Sequence, residues 1–224
     1  MGQKINPLIY RLGITRNYDS FWFSKKKNYF QNFQEDQKIR NFINFFFSKQ
    51  QIYKISYDIN LIEGITRIKI KKKINFIKII LFIGFTKLLK KNSPQELKKR
   101  LILLLIFEKK KLIFIIKKIK KPYRNPKIIA EFIANQLKNK VSCHKAMKKS
   151  IKLAEKSDIK GIQIQISGRI GKNNSSRIEW IRKGQVPLQM IQANINYCSY
   201  SIRTISGILG IKIWIFLKDK DYEK

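Results

Sequence analysis

Apolar residues return along this chain at two spacings, one suited to helices and one to strands. Ile39, Phe42, Ile43 and Phe46 fall at i, i+3, i+4 and i+7, one face of a helix predicted from Glu35 to about Lys49. Residues 51–73 read as strands. Between Arg67 and Lys71 the alternation is strict, with Ile68 and Ile70 on one face and Arg67, Lys69 and Lys71 on the other. An apolar run over residues 79–85 follows. Ser93-Pro94-Gln95-Glu96 then supplies an N-cap, a proline at the first helical position and a capping-box glutamate, so a helix with Leu97, Leu101, Leu104 and Leu105 inward starts there. Residues 111–121 read as another strand, and Pro122 and Pro126 mark the expected domain boundary.

Asn125 and Pro126 open a second predicted helix, with Ile129, Phe132, Ile133, Gln136 and Leu137 on one side. The next helix, from Ser142 to about Ser157, carries two distinct faces. Cys143, Met147, Ile151 and Ala154 recur on one, while Lys145, Lys148, Lys149 and Lys152 recur at i, i+3, i+4 and i+7 on the other. Beyond Gly161 the period drops to two, at residues 162–166 and 211–215, so three or four strands should form a sheet against the two helices. The opening 35 residues have no clear period. With Pro7, Gly13, the cluster Phe21-Trp22-Phe23 and the run Lys25-Lys26-Lys27, they read as an extended arm. The expected class is α+β: an arm over residues 1–35, one domain over 36–121, and a second α/β domain over 122–224 with two helices on a mostly antiparallel sheet.

Charge narrows the function. Of 224 residues, 49 are Lys or Arg and 14 are Asp or Glu, a net charge of +35. With 44% hydrophobic and 12% aromatic residues the chain has enough apolar surface to fold. A compact body with that much uncompensated charge repels itself, so a polyanionic partner is expected, nucleic acid first and a membrane surface second. Small-metabolite enzymes are disfavoured. No apolar run reaches the roughly 18 residues of a membrane span. The uncharged stretch 184–202 contains Pro187, several Gln and Asn, Ser199 and Ser201. The N-terminus lacks the apolar segment of a signal peptide, and Asn6 stands where a myristoylation motif wants Ser or Thr. Ile, Lys, Asn and Phe are over-represented and Val occurs only at positions 141 and 186, a bias that AT-rich codons would produce.

Catalytic chemistry finds little support. The acids are scattered, with no pair spaced for general acid and base work. Cys143, Cys198 and the single histidine, His144, lack the spacing of a zinc or redox site, and no Walker-type glycine loop is present. The lysine stripe is different. A solvated helix usually alternates signs, yet no acid lies between Glu131 and Glu155, so Lys145, Lys148, Lys149 and Lys152 read as a phosphate-binding face. Arg67, Lys69 and Lys71 point the same way. Contact with roughly 10 phosphates would give a slope near −9 in log affinity against log salt. Gly84-Phe85-Thr86-Lys87 resembles the KH loop that approaches nucleotides through its backbone, with Lys87 in place of the second glycine. A plain strand-end turn explains the tetrapeptide equally well.

Three stretches carry a specific resemblance: MGQKINP with Arg11-Leu12-Gly13, AEFIANQLKNKVSCHKAMKKSI (residues 130–151) and ISGRIGKNNSSRIEWIRKGQVPLQMIQANINYCSYSIRTISGILGIKIWIF (residues 166–216). They resemble the bacterial-type S-three family of small ribosomal subunit proteins, in its plastid-encoded form. The likeness runs nearly end to end and is weakest over residues 87–111. It implies an N-terminal type II KH domain, a C-terminal α/β domain, no enzymatic activity and no cofactor. It further implies a seat in the head of the subunit on 16S-type rRNA, in the plastid stroma and not on a membrane. Head proteins of the S-ten and S-fourteen types would be neighbours, with the S-two and S-five types as further candidates.

The same resemblance implies that His144, Lys145 and Lys148 line the channel by which mRNA enters. His144 stands where the family usually has arginine, exchanging a permanent charge for an imidazole. Gln192 and Asn196 likewise replace what are usually Arg and Asp. Arg169, Arg177 and Arg182 in the matched block add RNA-binding candidates. Two other readings stand beside this one: an organellar RNA-binding or RNA-processing factor outside the ribosome, and a basic protein on a membrane surface.

Overall fold

A computed structural model describes residues 4–52, 64–73, 75–85, 93–104, 111–171, 175–205 and 207–218; at 48–52, 93, 94, 103 and 104 it describes the backbone alone. In chain order the elements are α1 (Pro7–Tyr10), β1 (Ser20–Phe21), α2 (Lys26–Ile52), β2 (Ile65–Lys72), β3 (Phe76–Ile83), α3 (Ser93–Leu104) and β4 (Lys111–Lys118). A 3-10 turn at Pro122–Arg124 leads to α4 (Pro126–Lys138), α5 (Cys143–Glu155), β5 (Ile159–Gly168), β6 (Arg177–Gly184), β7 (Ile195–Thr204) and β8 (Gly207–Leu217). They form two compact units, one of Tyr18–Lys120 and one of Met1–Asn17 together with Lys121–Lys224.

The Tyr18–Lys120 unit is built on a sheet of order β1-β2-β3-β4. β2 and β3 are antiparallel, while β1 runs parallel to β2 and β4 parallel to β3. Ile77, Ile79, Leu81 and Ile83 of β3 point into a core shared with Ile39, Ile43, Phe46 and Phe47 of α2 and with Leu97 and Leu101 of α3. Between them, buried Ile80 and half-buried Phe82 point to the other face of the sheet, where the Lys69 ammonium sits 5.1 Å from the Phe82 ring. The long apolar run of β3 therefore divides between two faces, and the Lys69 stem lies against part of the second. Leu104 and Leu105 lie outside the side chains described.

Two expectations need correction in this unit. α2 begins at Lys26, not Glu35, and its N-terminal stretch buries no residue before Asp36. Apolar periodicity registers only the part of a helix that lies on its own core. Residues 51 and 52 end α2 instead of opening a strand, 53–63 lie outside the described residues, and β2 starts at Ile65.

In the other unit, the antiparallel sheet has the order β6-β5-β8-β7. α4 and α5 cover one face, burying Ile162, Ile164, Ile166, Ile211, Ile213 and Ile215 of the central strands. Asn125 caps α4, its side-chain oxygen accepting from the Lys127 backbone N–H at 3.1 Å. α4 buries a wider arc than its apolar spacing predicts: Ile128, Ala130, Glu131 and Ala134 as well as Ile129, Ile133 and Leu137. It meets β7, β8 and α5 at once.

The opposite face holds a second core of Val186, Ala193, Ile195, Trp214 and Phe216. Trp214 is inside this core, whereas Trp180 on β6 is exposed. The loop over this core is secured from the N-terminus. Arg11, 1% exposed, donates from Nε to the carbonyl of Ala193 (2.8 Å) and from Nη1 to that of Pro7 (3.0 Å). Its Nη2 donates to the carbonyls of Leu188 (3.0 Å) and Met190 (2.6 Å). The expected extended arm is thus a short helix and a buried guanidinium up to residue 17, then a strand and the start of α2. Gly184, at φ +73, turns the chain out of β6 into that loop, and a Cβ there would lie 2.4 Å from the Lys160 carbonyl oxygen. Replacing Arg11 with Ala leaves buried carbonyls without donors. It is expected to cost about 3 kcal/mol of stability and to open residues 186–193 to proteolysis, checked by thermal melts and limited digestion.

Candidate nucleic-acid interface

α5 is fixed by one face and presents the other. Ala146, Met147, Ser150, Ile151 and Ala154 are buried, and Cys143 is half-buried. The short side chains at 146, 150 and 154 recur every fourth residue, which lets the helix lie close to its neighbours. Ser150 carries no unmet donor, because its hydroxyl bonds to the Met147 carbonyl at 2.7 Å. His144, Lys145, Lys148, Lys149 and Lys152 are all exposed. None of these four lysines forms an ion pair among the described residues. At the C-terminal end of the helix, Glu155 is neutralised by Lys183 of β6 at 2.6 Å. The face therefore presents uncompensated positive charge on a rigid backbone, with phosphate as its natural counter-group.

The second expected face divides. Arg67 is tied through its Nε to Asp19 in an ion pair, which braces the start of β1. No local pattern signals this pair, because the whole of α2 separates the two residues. Lys69 sits over Phe82, and Lys71 is exposed with its ammonium 5.9 Å from the Phe21 ring. Gly84 is buried and its N–H donates to the Gly64 carbonyl at 2.7 Å, so that amide is committed within the fold. Lys87 lies outside the described residues. Lys98 and Lys99, exposed on α3, add two cations to those the spacing singled out. The spacing of Leu97 and Leu101 already turned them outward.

Arg169, Arg177 and Arg182 are exposed, yet they do not share one surface. Arg177 and Arg182 are an odd number of residues apart on β6, so the pleat sends them to opposite faces of the sheet. Arg182 lies on the face of exposed Trp180, and Arg177 on the face that α5 covers.

Burial pushes the Cys198 thiol up to about 11 and raises that of Cys143, which leaves both poor nucleophiles near neutrality. Among the described residues no group of three His, Cys, Asp or Glu side chains could hold a metal ion. No described helix is long and apolar enough to cross a membrane.

A family model described as the C-terminal domain of ribosomal protein S3 matches residues 133–215, which contain the whole of α5. The chain is 56% identical over 222 residues to a small ribosomal subunit protein uS3c of Ipomoea purpurea, covering 98% of this chain and all of that protein. Its identity to the proteins of the same name from Daucus carota and Nicotiana tabacum is 54% over 220 residues and 53% over 223. Those matches cover 97% and 98% of this chain and 99% and 100% of the relatives.

The contrast between α5 and Arg67 is measurable. Changing Lys149 and Lys152 to Gln is expected to lower the salt slope of RNA binding by about 0.7–0.9 per lost phosphate contact. Arg67→Gln is expected to lower the melting temperature and leave the slope unchanged. Filter binding across a salt series and thermal melts check both.

Proposed function

The chain belongs to the ribosomal protein S3 family, and on that premise we propose that it is a structural constituent of the plastid small ribosomal subunit that binds rRNA and lines the channel by which mRNA enters. It carries out no chemistry of its own. The observation that carries the channel role is α5, whose Lys145 and Lys148 are exposed and without ion-pair partners on a helix pinned by its buried face. An ammonium held in that way can grip successive phosphates of a passing strand, and because the contacts read no base, any message can slide through. His144, one residue before Lys145, adds an imidazole to the same exposed edge.

The remaining cations serve rRNA: Lys149, Lys152, Lys69, Lys71, Arg169, Arg177 and Arg182, with Lys98 and Lys99 added. Within residues 36–121 the order helix, strand, strand, helix, strand supports a type II KH domain, and the α/β domain assigned to residues 122–224 also draws on α1 from the start of the chain. With Gly84 buried and Lys87 in place of the second glycine, this KH unit acts by seating the protein and not by clamping a single strand. Head proteins of the S-ten and S-fourteen types are its expected neighbours.

Fractionation of organelle lysate on a gradient should recover the chain near stoichiometry with the small subunit, even after a high-salt wash; recovery in light RNA-bound fractions would instead indicate a processing factor. In subunits that carry Lys145→Ala with Lys148→Ala, assembly should persist while translation of hairpin-containing messages falls relative to unstructured ones. Equal translation of the two would remove the channel role.

A further inference from the structure

The first turns of α2 have no core beneath them. Residues 26–34 contain no buried position, yet they are helical. They extend a helix that docks further along, through Ile39 and Ile43, so they keep their shape while leaving a surface open to a partner. Their surface is aromatic. Phe21, Phe23, Tyr29, Phe30 and Phe33 are between 49% and 94% exposed, a density of exposed rings found nowhere else among the described residues. The rings are ordered against one another, with Trp22 and Tyr29 centred 5.4 Å apart and Tyr29 and Phe33 nearly parallel at 6.5 Å. Beside them the Trp22 indole N–H is buried with no acceptor among the described residues.

Charge identifies the occupant. Lys25, Lys26 and Lys27 are exposed at the N-terminal end of α2, where the helix has no acid in its first turn and its dipole already carries positive charge. The nearby acids are taken: Glu35 by Lys72 at 2.6 Å, Asp36 by Arg40 at 3.5 Å and by the Ser20 hydroxyl at 2.5 Å, and Asp19 by Arg67. Three cations on a positive helix end call for an anion, and exposed rings call for flat apolar faces. Unpaired nucleotides supply both, with phosphates for the lysines and bases for the rings. Exposed aromatic surface of this extent calls for a lasting partner, which favours a structural RNA over a passing message. We propose that an unpaired segment of small-subunit rRNA lies across Phe21–Phe23 and the first turns of α2, its bases stacked on Phe23, Phe30 and Phe33. The choice of rRNA rests on the ribosomal reading above; the stacking surface does not.

The test uses the full-length protein and an oligouridine of about twelve nucleotides, a length within the range such surfaces hold. Phe23→Ala with Phe30→Ala and Phe33→Ala, all at exposed sites, should weaken oligouridine binding about tenfold or more at every salt concentration. The salt slope and the affinity for an RNA duplex should stay unchanged. Changing Lys25, Lys26 and Lys27 to Gln should instead flatten the slope. In subunits assembled with the aromatic variant, one unpaired rRNA segment should become more reactive to base-modifying reagents. Unchanged oligouridine affinity, or subunits that contain the variant with unchanged rRNA reactivity, would overturn the proposal and assign the face to a protein. Absence of the wild-type chain from the subunit would instead overturn the ribosomal reading.

Discussion

The C-terminal unit depends on one buried guanidinium. Among the described residues Arg11 has no carboxylate partner; its hydrogen-bond partners are the carbonyls of Pro7, Leu188, Met190 and Ala193. Burial lowers its pKa from the ordinary arginine range, a direction that still leaves it charged at any physiological pH. Carbonyl dipoles aimed at a desolvated cation are charge-assisted bonds, stronger than neutral ones and insensitive to the protonation of any acid. They fasten α1 and residues 186–193 over the small core of Val186, Ile195, Trp214 and Phe216. This unit is therefore discontinuous in sequence, because residues from the beginning of the chain complete a fold made largely by its second half.

Around that framework the excess of cations divides by partner. Arg40, Arg67, Lys72, Lys121 and Lys183 are matched to Asp36, Asp19, Glu35, Asp158 and Glu155. Lys72 is the most enclosed of these, and a buried ammonium of this kind is tolerated only with its carboxylate in place. The exposed pairs contribute little to stability, but each removes a lysine from the pool that a polyanion can reach. Lys121 shows this from the acid's side, since its hydrogen bond holds the Asp158 carboxyl below its ordinary range. The scarce acids thus act as markers: they show which cations belong to the fold, and the α5 stripe, which has none, faces outward.

Much of this was legible in the residues. α5 needed only its own spacing, because a helix with Met147, Ile151 and Ala154 at core positions has no choice about where Lys145, Lys148, Lys149 and Lys152 go. The strand pattern at 162–166 and 211–215 was equally local, and so was the cap at Asn125. The misreadings share a different cause. Arg67 has the same alternation whether or not Asp19 is near it. α4 shows an apolar stripe narrower than the arc it buries, since alanines and a glutamate are enclosed by β7, β8 and α5. The beginning of α2 was invisible because its apolar residues face away from the core.

The sequence alone determined the element types, the amphipathic faces, the excess of positive charge and the family resemblance, since each depends on residues within a few positions of one another or on composition. Tertiary structure alone decided which cations are taken. It decided that Arg11 is the clasp of the C-terminal unit, that Gly84 is buried, that Trp214 is inside while Trp180 is exposed, and that Arg177 and Arg182 part to opposite faces. The physical reason is range. Helical and strand periods express contacts between near neighbours, whereas an ion pair or a desolvated guanidinium is made between groups that only the folded chain brings together.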